Sequence, residues 1–329
     1  METRALRYFH SVAEFGSYSR AAEVLRISQP AVSRQVRGLE NSLGQKLFLR
    51  QSHGVSLTEA GRTLLERTRM ILRQFDQTEH EIRRGQVHAS GTVTLGVPPA
   101  AGNMLVPELT RRLSAAFPNV FLHVVAGFSL YLQEWVARGR VDVACLHDPV
   151  PHPGFTLTPL VNEEVFLVGR RGALDVPTGY VRARQLAELP LILPAQPNAS
   201  RRLLDAWLAR QGTRLNVRME VDDHMIIRAL LREGLGFSLL TQGAFLADMP
   251  LGTLDAWPLR PRASWGLTLM QQPPERQSAI AASLAGMIPA VVRDLVRDGH
   301  WPGAALIEGT GRVAARSSEG KAPDLLSEK

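Results

Sequence analysis

Residues 17–61 contain two short helical segments joined by a tight turn, and this pattern constrains the fold more than any other part of the chain. In the second segment, Val32, Val36 and Leu39 recur at helical spacing and leave a polar face opposite. Ser28 is placed to cap this helix, and Pro30 falls in its first turn, where proline is tolerated. The pattern predicts two packed helices followed by a polar hairpin at about residues 44–57.

Further helices are predicted on both sides of this motif. Apolar residues at helical spacing favour a first helix from about Arg4 to Glu14. Thr58 can cap a long helix that runs from about Glu59 to Arg84 and carries a single apolar stripe. Because this helix is longer than a small domain needs, we expect its stripe to pair with a second copy of the chain.

The basic charge is concentrated in the same part of the chain. The formal net charge is +7, and residues 1–85 hold 14 Lys and Arg against 9 Asp and Glu. A helix-turn-helix places its second helix in the major groove of DNA, where a basic surface meets the phosphates. The alternative is an ordinary solvated basic surface.

The polar face of the second helix supplies the candidate contacts with DNA. Gln and Arg can form bidentate hydrogen bonds with adenine and guanine edges, whereas Ser is more suited to phosphates. Which of these residues read bases stays open. The candidate DNA-binding residues are Ser28, Gln29, Pro30, Ser33, Arg34 and Arg37 in the helix and Arg50, Gln51, Ser52 and His53 in the hairpin.

The pattern changes after a Gly- and Ser-containing linker at residues 85–91. Strand and helix segments then alternate, which predicts a parallel sheet with helices on its faces. Among these segments are a helix at Asn103–Phe117 and a strand at Val165–Val168. Residues beyond about His300 have no period, and we expect 301–329 to be a disordered tail.

Several function classes lack support in the sequence. The single cysteine, Cys145, excludes an internal disulfide framework and is expected to be a buried structural thiol. No signal peptide is recognised, and no apolar run is expected to reach the roughly 20 residues of a membrane span. The histidines lack the spacing of a metal site, and no cofactor is predicted. We therefore expect a cytoplasmic protein of the bacterial nucleoid that does not bind membranes.

A known family shares many residues of this chain. They are Phe9, Ala13, Gly16, Ser17, Ala21, Ala22, Leu25, Ser28–Ser33, Leu39, Glu40, Leu43, Gly44, Leu47, Phe48, Arg50 and Leu57–Gly61. Two weaker patterns agree, Gly139–Asp142 before a strand and Gly234–Phe237 after a helix. In these residues the chain resembles the LysR-type transcriptional regulators, and the resemblance extends from residue 1 to about residue 299.

The resemblance implies an α+β multidomain protein that regulates transcription. Its expected parts are a winged helix-turn-helix (1–58), a dimerising linker helix (59–85), a hinge (86–91) and an α/β effector domain like the periplasmic binding proteins (92–300). Lobe I of that domain is expected at about 92–161 and 267–300, and lobe II at about 162–266. The implied partners are an interrupted inverted repeat in double-stranded DNA near a promoter, a small-molecule effector, three further copies of the chain in a dimer of dimers, and RNA polymerase.

The effector is expected in the cleft between the two lobes. Ligands of open α/β sheets bind beyond the carboxyl ends of strands, where helix N-termini offer free N–H groups. Ordinary helix capping is the alternative role for Ser129 and Ser200, and His147 is placed in the cleft by the resemblance. The candidate effector-binding residues are Pro99, Ala100, Ala101, Phe128, Ser129, His147, Asn198 and Ser200.

Two other readings stay open. The paired lobes alone would also suit a small-molecule-binding protein or enzyme, although no nucleophile–base pair or phosphate loop supports chemistry. A regulator without any small-molecule effector would carry the same N-terminal motif.

Overall fold

The computed structural model describes residues 2–51, 54–65, 67–68, 71–72, 75, 91–273, 276–307 and 313–314. The helices are α1 (Thr3–Phe15), α2 (Tyr18–Leu25), α3 (Gln29–Leu43), α4 (from residue 59, described in part), α5 (Pro99–Ala116), α6 (Ser129–Ala137), α7 (Ala199–Ala209), α8 (His224–Arg232) and α9 (Ala279–Arg297). The strands are β1 (Phe48–Gln51), β2 (Gly54–Leu57), β3 (Gly91–Val97), β4 (Val120–Ala126), β5 (Val143–His147), β6 (Thr156–Arg170), β7 (Val181–Arg182), β8 (Leu191–Leu193), β9 (Val217–Glu220), β10 (Phe237–Thr241), β11 (Leu254–Arg260), β12 (Ser264–Gln271), β13 (Ala304–Leu306) and β14 (Val313–Ala314).

The N-terminal domain packs α1, α2 and α3 around one apolar core and adds the two-stranded hairpin β1–β2. Phe9, Val12 and Val36 are fully buried in this core. The hairpin and the helix-turn-helix are therefore confirmed. Ser28 is the N-cap residue of α3, but its side chain makes no capping hydrogen bond, so the predicted capping role of its hydroxyl is wrong.

Helix α4 begins where the sequence predicts. The hydroxyl of Thr58 accepts a hydrogen bond from the Gly61 N–H at 2.9 Å, which satisfies one of the first free donors of the helix. Of the predicted dimerising helix (59–85) and hinge (86–91), residues 76–90 lie outside the described residues. Gly91 belongs to β3 and not to the hinge.

The C-terminal sheet is mixed, so the prediction of a parallel sheet is wrong at its centre. The strand order is β4-β3-β5-β12-β6-β10-β8-β9. Pairs near both edges are parallel, but β6 and β12 run antiparallel to each other and to their outer neighbours. Because β6 and β12 pass through both lobes, they are the connections between the lobes and do not follow the strand–helix–strand repeat.

The two connecting strands contribute residues to one apolar core in each lobe. Leu160, Val161 and Leu267 lie in the core of the first lobe, whereas Val165 and Trp265 lie in that of the second. Strand β6 has 15 residues, far more than the short strand predicted at 165–168. Pro159 and the polar residues 162–164 interrupt its hydrophobic pattern, and pairing on both sides overrides this weak local signal.

Two further elements, a helix and a strand, differ from the sequence prediction. Helix α5 begins at Pro99, four residues before the predicted start, because prolines in the first turn of a helix lack only an N–H that has no partner there. Strand β11 was not predicted at all. It contains Pro258 and Asp255, which are depleted in strands, but it pairs with β6 along five residues.

Residues 301–306 are ordered structure, so the predicted disordered tail starts too early. Strand β13 pairs antiparallel with β6 at residues 161–163, and Trp301 is only 2% exposed. Strand β14 adds a second short pairing with β6. The other residues of the predicted tail, 308–312 and 315–329, lie outside the described residues.

Helix α9 is long and apolar enough to cross a membrane by length and composition, contrary to the sequence expectation. Its apolar side, however, lies in the core of the first lobe, where Leu284, Ile288 and Val291 are fully buried. A buried core helix passes the same compositional test as a membrane span.

Candidate functional site

The first candidate site is the polar face of α3. Gln29, Arg34 and Arg37 are exposed, whereas Val32 and Val36 on the opposite face are buried. Within residues 2–51 and 54–65, neither Arg34 nor Arg37 forms an ion pair. Arg34 and Arg37 therefore lie on one helix face without a carboxylate partner among these residues. Such free cations can bind phosphates or base edges.

The hairpin β1–β2 is held against the C-terminal end of α1. The Val55 N–H donates a hydrogen bond to the carbonyl oxygen of Gly16 at 2.9 Å. Gly54 has a positive φ, and a Cβ atom there would lie 2.4 Å from the same oxygen. Arg50 and Gln51 are exposed on this hairpin, and Gln51 donates a hydrogen bond to Ser56 at 3.0 Å.

The buried carboxylate of Glu40 joins α3 to the base of the hairpin. It accepts hydrogen bonds of 2.9 Å from the Leu47 N–H and from the Lys46 ammonium group. Burial alone would raise the pKa of Glu40, but these hydrogen bonds outweigh it and lower the pKa below its usual value. The ionised carboxylate thus fixes the orientation of the hairpin relative to α3.

The other predicted DNA-binding residues are placed unevenly. Ser28 and Pro30 are exposed at the start of α3, and Ser33 is half-buried. Ser52 and His53 lie outside the described residues.

The second candidate site is a cleft between the lobes, at which four helix N-termini converge. Helices α5 and α6 come from the first lobe, and α7 and α8 from the second. The cavity in this cleft is about 40 Å³, which is room for only a few water-sized groups. Its lining residues are Pro98, Pro99, Ala100, Gly127, Phe128, Ser129, His147, Asn198, Ala199, Ser200, His224, Thr241 and Trp265.

All but one of the predicted effector-binding residues therefore lie in this wall. The exception is Ala101, which is fully buried in the core of the first lobe because α5 starts early and turns it inward. Ser129 and Ser200 are not caps either. Phe128 is the N-cap residue of α6, and Asn198 caps α7 by accepting a hydrogen bond from the Ser200 N–H.

A buried network lies behind the cleft. The Ser129 hydroxyl accepts a hydrogen bond from the His147 backbone N–H at 2.9 Å. The His147 Nε2 lies 2.8 Å from one oxygen of Glu163, and the Trp301 indole donates to the other oxygen at 3.2 Å. Glu163 is 2% exposed, so both oxygens of a buried carboxyl group have hydrogen-bond partners inside the protein.

Sequence reasoning missed His224, Thr241 and Trp265 in the cavity wall, and Glu163 and Trp301 behind it. His224 is the first residue of α8. Nothing in a linear pattern, however, indicates that its first residue meets strands β5 and β10 in space.

Two contacts hold the lobes together beside the cavity. Asp148 of the first lobe and Arg202 of the second form an ion pair of 2.8 Å at the rim. The Asn103 side chain donates a hydrogen bond to the Gly243 carbonyl at 3.0 Å. A Cβ atom at Gly243 would lie 2.2 Å from the Ala100 carbonyl oxygen, so the lobes touch closely here.

Two kinds of chemistry find no support in the described residues. Cys145 is buried, as predicted, and burial together with the nearby Glu163 raises the pKa of its thiol to about 12. Such a thiol is not a reactive thiolate at neutral pH. Within residues 2–51, 91–273 and 276–307, no cluster of three or more His, Cys, Asp or Glu side chains could hold a metal ion.

Comparison with known families covers nearly the whole chain. A model of the LysR substrate binding domain matches residues 86–293. A model of the bacterial regulatory helix-turn-helix protein of the lysR family matches residues 3–62.

Similar curated proteins are regulators of transcription. The HTH-type transcriptional regulator BbuR of Bordetella bronchiseptica is 31% identical over 310 residues, which cover 94% of this chain and 95% of BbuR. The nitrogen assimilation regulatory protein nac of Escherichia coli is 31% identical, covering 82% of this chain and 88% of that protein.

Solved structures share the fold. A full-length OxyR variant from Pseudomonas aeruginosa has a TM-score of 0.68 at 21% identity, covering 94% of this chain and 99% of OxyR. Full-length CbnR in complex with its target DNA has a TM-score of 0.66 at 22% identity, covering 88% of this chain and all of CbnR. The matched domains and relatives indicate a regulator and not an enzyme. The chain therefore belongs to the LysR family of DNA-binding transcriptional regulators, with an N-terminal helix-turn-helix and a C-terminal effector-binding domain.

Proposed function

We propose that this regulator reads an interrupted inverted repeat near a promoter and that a small molecule bound in the interlobe cleft controls its effect on transcription. The main support is the position of the cleft, because helix N-termini from both lobes meet at one cavity. A ligand that touches both lobes binds one lobe arrangement better than another, which is the requirement for allosteric control.

The DNA-binding part of the proposal assigns roles to α3 and the hairpin. Gln29, Arg34 and Arg37 read base edges, and Ser28 and Ser33 contact phosphates. Arg50 and Gln51, with Ser52 and His53 beside them, contact the backbone or the minor groove.

The linker helix at 59–85 pairs two chains in a dimer, two such dimers form the assembly, and the assembly works in the bacterial cytoplasm. Ligand binding changes the angle between the lobes, and this changes how the dimers pair and how far they bend the DNA. RNA polymerase is the further partner through which bent DNA alters transcription.

The test is a DNase footprint on DNA from the neighbourhood of the gene, with a small-molecule screen by thermal shift. We expect protection of two half-sites and a compound that both stabilises the full chain and changes the footprint. A normal footprint that no stabilising compound alters would contradict effector control. Chemical turnover of the stabilising compound would favour an enzyme.

A further inference from the structure

A second pocket lies on the surface of the second lobe and shares no lining residue with the interlobe cleft. Its volume is about 490 Å³, within the range of roughly 300–1,000 Å³ that is usual for small-molecule sites. Three of its lining residues are arginines, Arg182, Arg184 and Arg260, and none is Asp or Glu. The pocket is therefore lined by positive charge of one sign.

The pairing of two strands brings two of these arginines together. Strands β7 and β11 run parallel, and Arg182 lies directly opposite Arg260 in their register. Neighbouring strands are only about 4.8 Å apart, and paired residues point to the same face of a sheet. Two like charges in this position repel each other, and an anion bound between them would offset the repulsion.

The ring of Tyr180 holds both guanidinium groups beside the pocket. The guanidinium carbon of Arg182 lies 5.9 Å from the centre of the ring, and that of Arg260 lies 5.6 Å from it. Arg182 Nη2 also donates a hydrogen bond of 3.4 Å to the Tyr180 hydroxyl. Side chains that are held in this way lose less conformational freedom when they bind a ligand.

These arginines lack acidic partners. Among the residues that the structure describes, no carboxylate forms an ion pair with Arg182, Arg184 or Arg260. In the same lobe, by contrast, Arg201 and Arg228 each form an ion pair with an acidic side chain. A guanidinium group presents several N–H donors in a planar fork that matches the oxygens of a phosphate group.

We propose that this pocket binds a phosphate group, either as free phosphate or as part of a phosphorylated small molecule. Arg182 and Arg260 donate to the phosphate oxygens, and Arg184 adds a third positive charge at the same pocket. A single small anion fits better than a DNA backbone, because the three side chains surround one pocket. The site is separate from the interlobe cleft, so the proposal does not depend on effector control.

The experiment titrates inorganic phosphate, glucose 6-phosphate and glucose into the full chain at low chloride concentration. Phosphorus NMR follows the two phosphates, and calorimetry follows all three compounds. We expect saturable binding of both phosphates at millimolar or lower concentration and none of glucose. Equal affinities would identify the phosphate group as the whole ligand, whereas tighter binding of the ester would identify a phosphorylated molecule. Either ranking supports the proposal.

Variants locate the bound phosphate. Arg182→Gln and Arg260→Gln are each expected to weaken phosphate binding at least about tenfold. Arg260→Lys keeps the charge but loses the planar fork, so we expect an intermediate affinity. Arg218→Gln, at an exposed position on β9 that does not line the pocket, is the matched control and leaves binding unchanged. Circular dichroism and the DNA footprint verify that each variant is folded.

Three results would overturn the proposal. The first is the absence of saturable binding by either phosphate. The second is full phosphate affinity in the folded double variant Arg182→Gln/Arg260→Gln; if that variant also bound specific and scrambled DNA more weakly, these arginines would belong to a contact with the DNA backbone. The third is loss of phosphate binding in Arg34→Ala, which would place the anion on α3. None of these results bears on effector control through the interlobe cleft.

Discussion

The polar face of α3 and the interlobe cleft present positive charge in different ways. On α3, Arg34 and Arg37 present formal charges to solvent. In the cleft, neutral polar side chains and helix ends line a small cavity. Full charges act over a Debye length and suit a long polyanion, whereas buried partial charges act only at contact and suit one small group. The proposed function therefore places DNA binding on formal charges that act at a distance and ligand binding on groups that act at contact.

The largest expected effect tests the buried side of this contrast. Trp301→Ala removes a buried indole and one donor to Glu163, and we expect it to lower the free energy of unfolding of the C-terminal domain by about 3–5 kcal/mol. Denaturant titration and scanning calorimetry each measure this loss. Trp301→Phe is the matched control, because it keeps a buried aromatic ring but removes the N–H that donates to Glu163. An unchanged unfolding transition in Trp301→Ala would show that the network behind the cleft adds little stability.

The next effect tests the exposed side. Arg34→Ala is expected to weaken binding to the specific DNA site by about 1–3 kcal/mol without changing protein stability. Arg50→Ala should instead weaken binding to all sequences alike and reduce the dependence of affinity on salt by about one phosphate contact. Affinity titrations at several salt concentrations, on specific and scrambled DNA, distinguish the two. Similar losses on both DNAs for Arg34→Ala would remove it from base reading.

A smaller effect is expected where a buried charge supports the exposed surface. The lowered pKa of Glu40 means that its ionised form stabilises the N-terminal domain above the usual carboxyl pKa, and this contribution is lost as pH falls below about 4.5. Glu40→Gln should cost about 1 kcal/mol at neutral pH and reduce the loss of stability on acidification. Unfolding curves between neutral and acidic pH test this. An identical pH profile in the variant would exclude Glu40 as a source of acid sensitivity.

The smallest effect concerns the rim of the cleft. Asp148 and Arg202 form their ion pair between lobes, but both are partly exposed to water. Arg202→Ala should therefore change stability by less than about 1 kcal/mol, and its main effect is expected on the rate of ligand entry. Stopped-flow binding of a compound found in the thermal-shift screen measures that rate. Arg210→Ala, at the exposed C-terminal end of α7, serves as the control.

The same contrast explains what the sequence could predict. The helix-turn-helix is one continuous segment, so apolar spacing at Val32, Val36 and Leu39 fixes which face of α3 is exposed. Seven wall residues of the cleft followed from the rule for strand ends and from the family resemblance. Ala101 did not, because a helix start that is wrong by one turn moves a residue from wall to core.

The remaining features depend on pairings between distant segments. Glu163 carries no local signal, since its partners His147 and Trp301 lie more than ten residues away in sequence. Strand β6 is polar at 162–164, yet neighbours on both sides complete its hydrogen bonding. Hydrophobic periodicity indicates the structure that a segment favours by itself, whereas the structure of these segments depends on pairing with distant parts of the chain.

The buried position of Trp301 also determines how far a fragment that contains the effector-binding domain must extend. A fragment that stops at residue 293, where the family match ends, or at residue 300 lacks the indole and leaves one oxygen of Glu163 without its donor. It also lacks β13, and its loss exposes residues 161–163 of β6, which is one of the two strands that connect the lobes. An isolated domain for ligand screening or crystallisation therefore needs to extend past Leu306. Shorter fragments would report a loosened cleft whatever ligand is added.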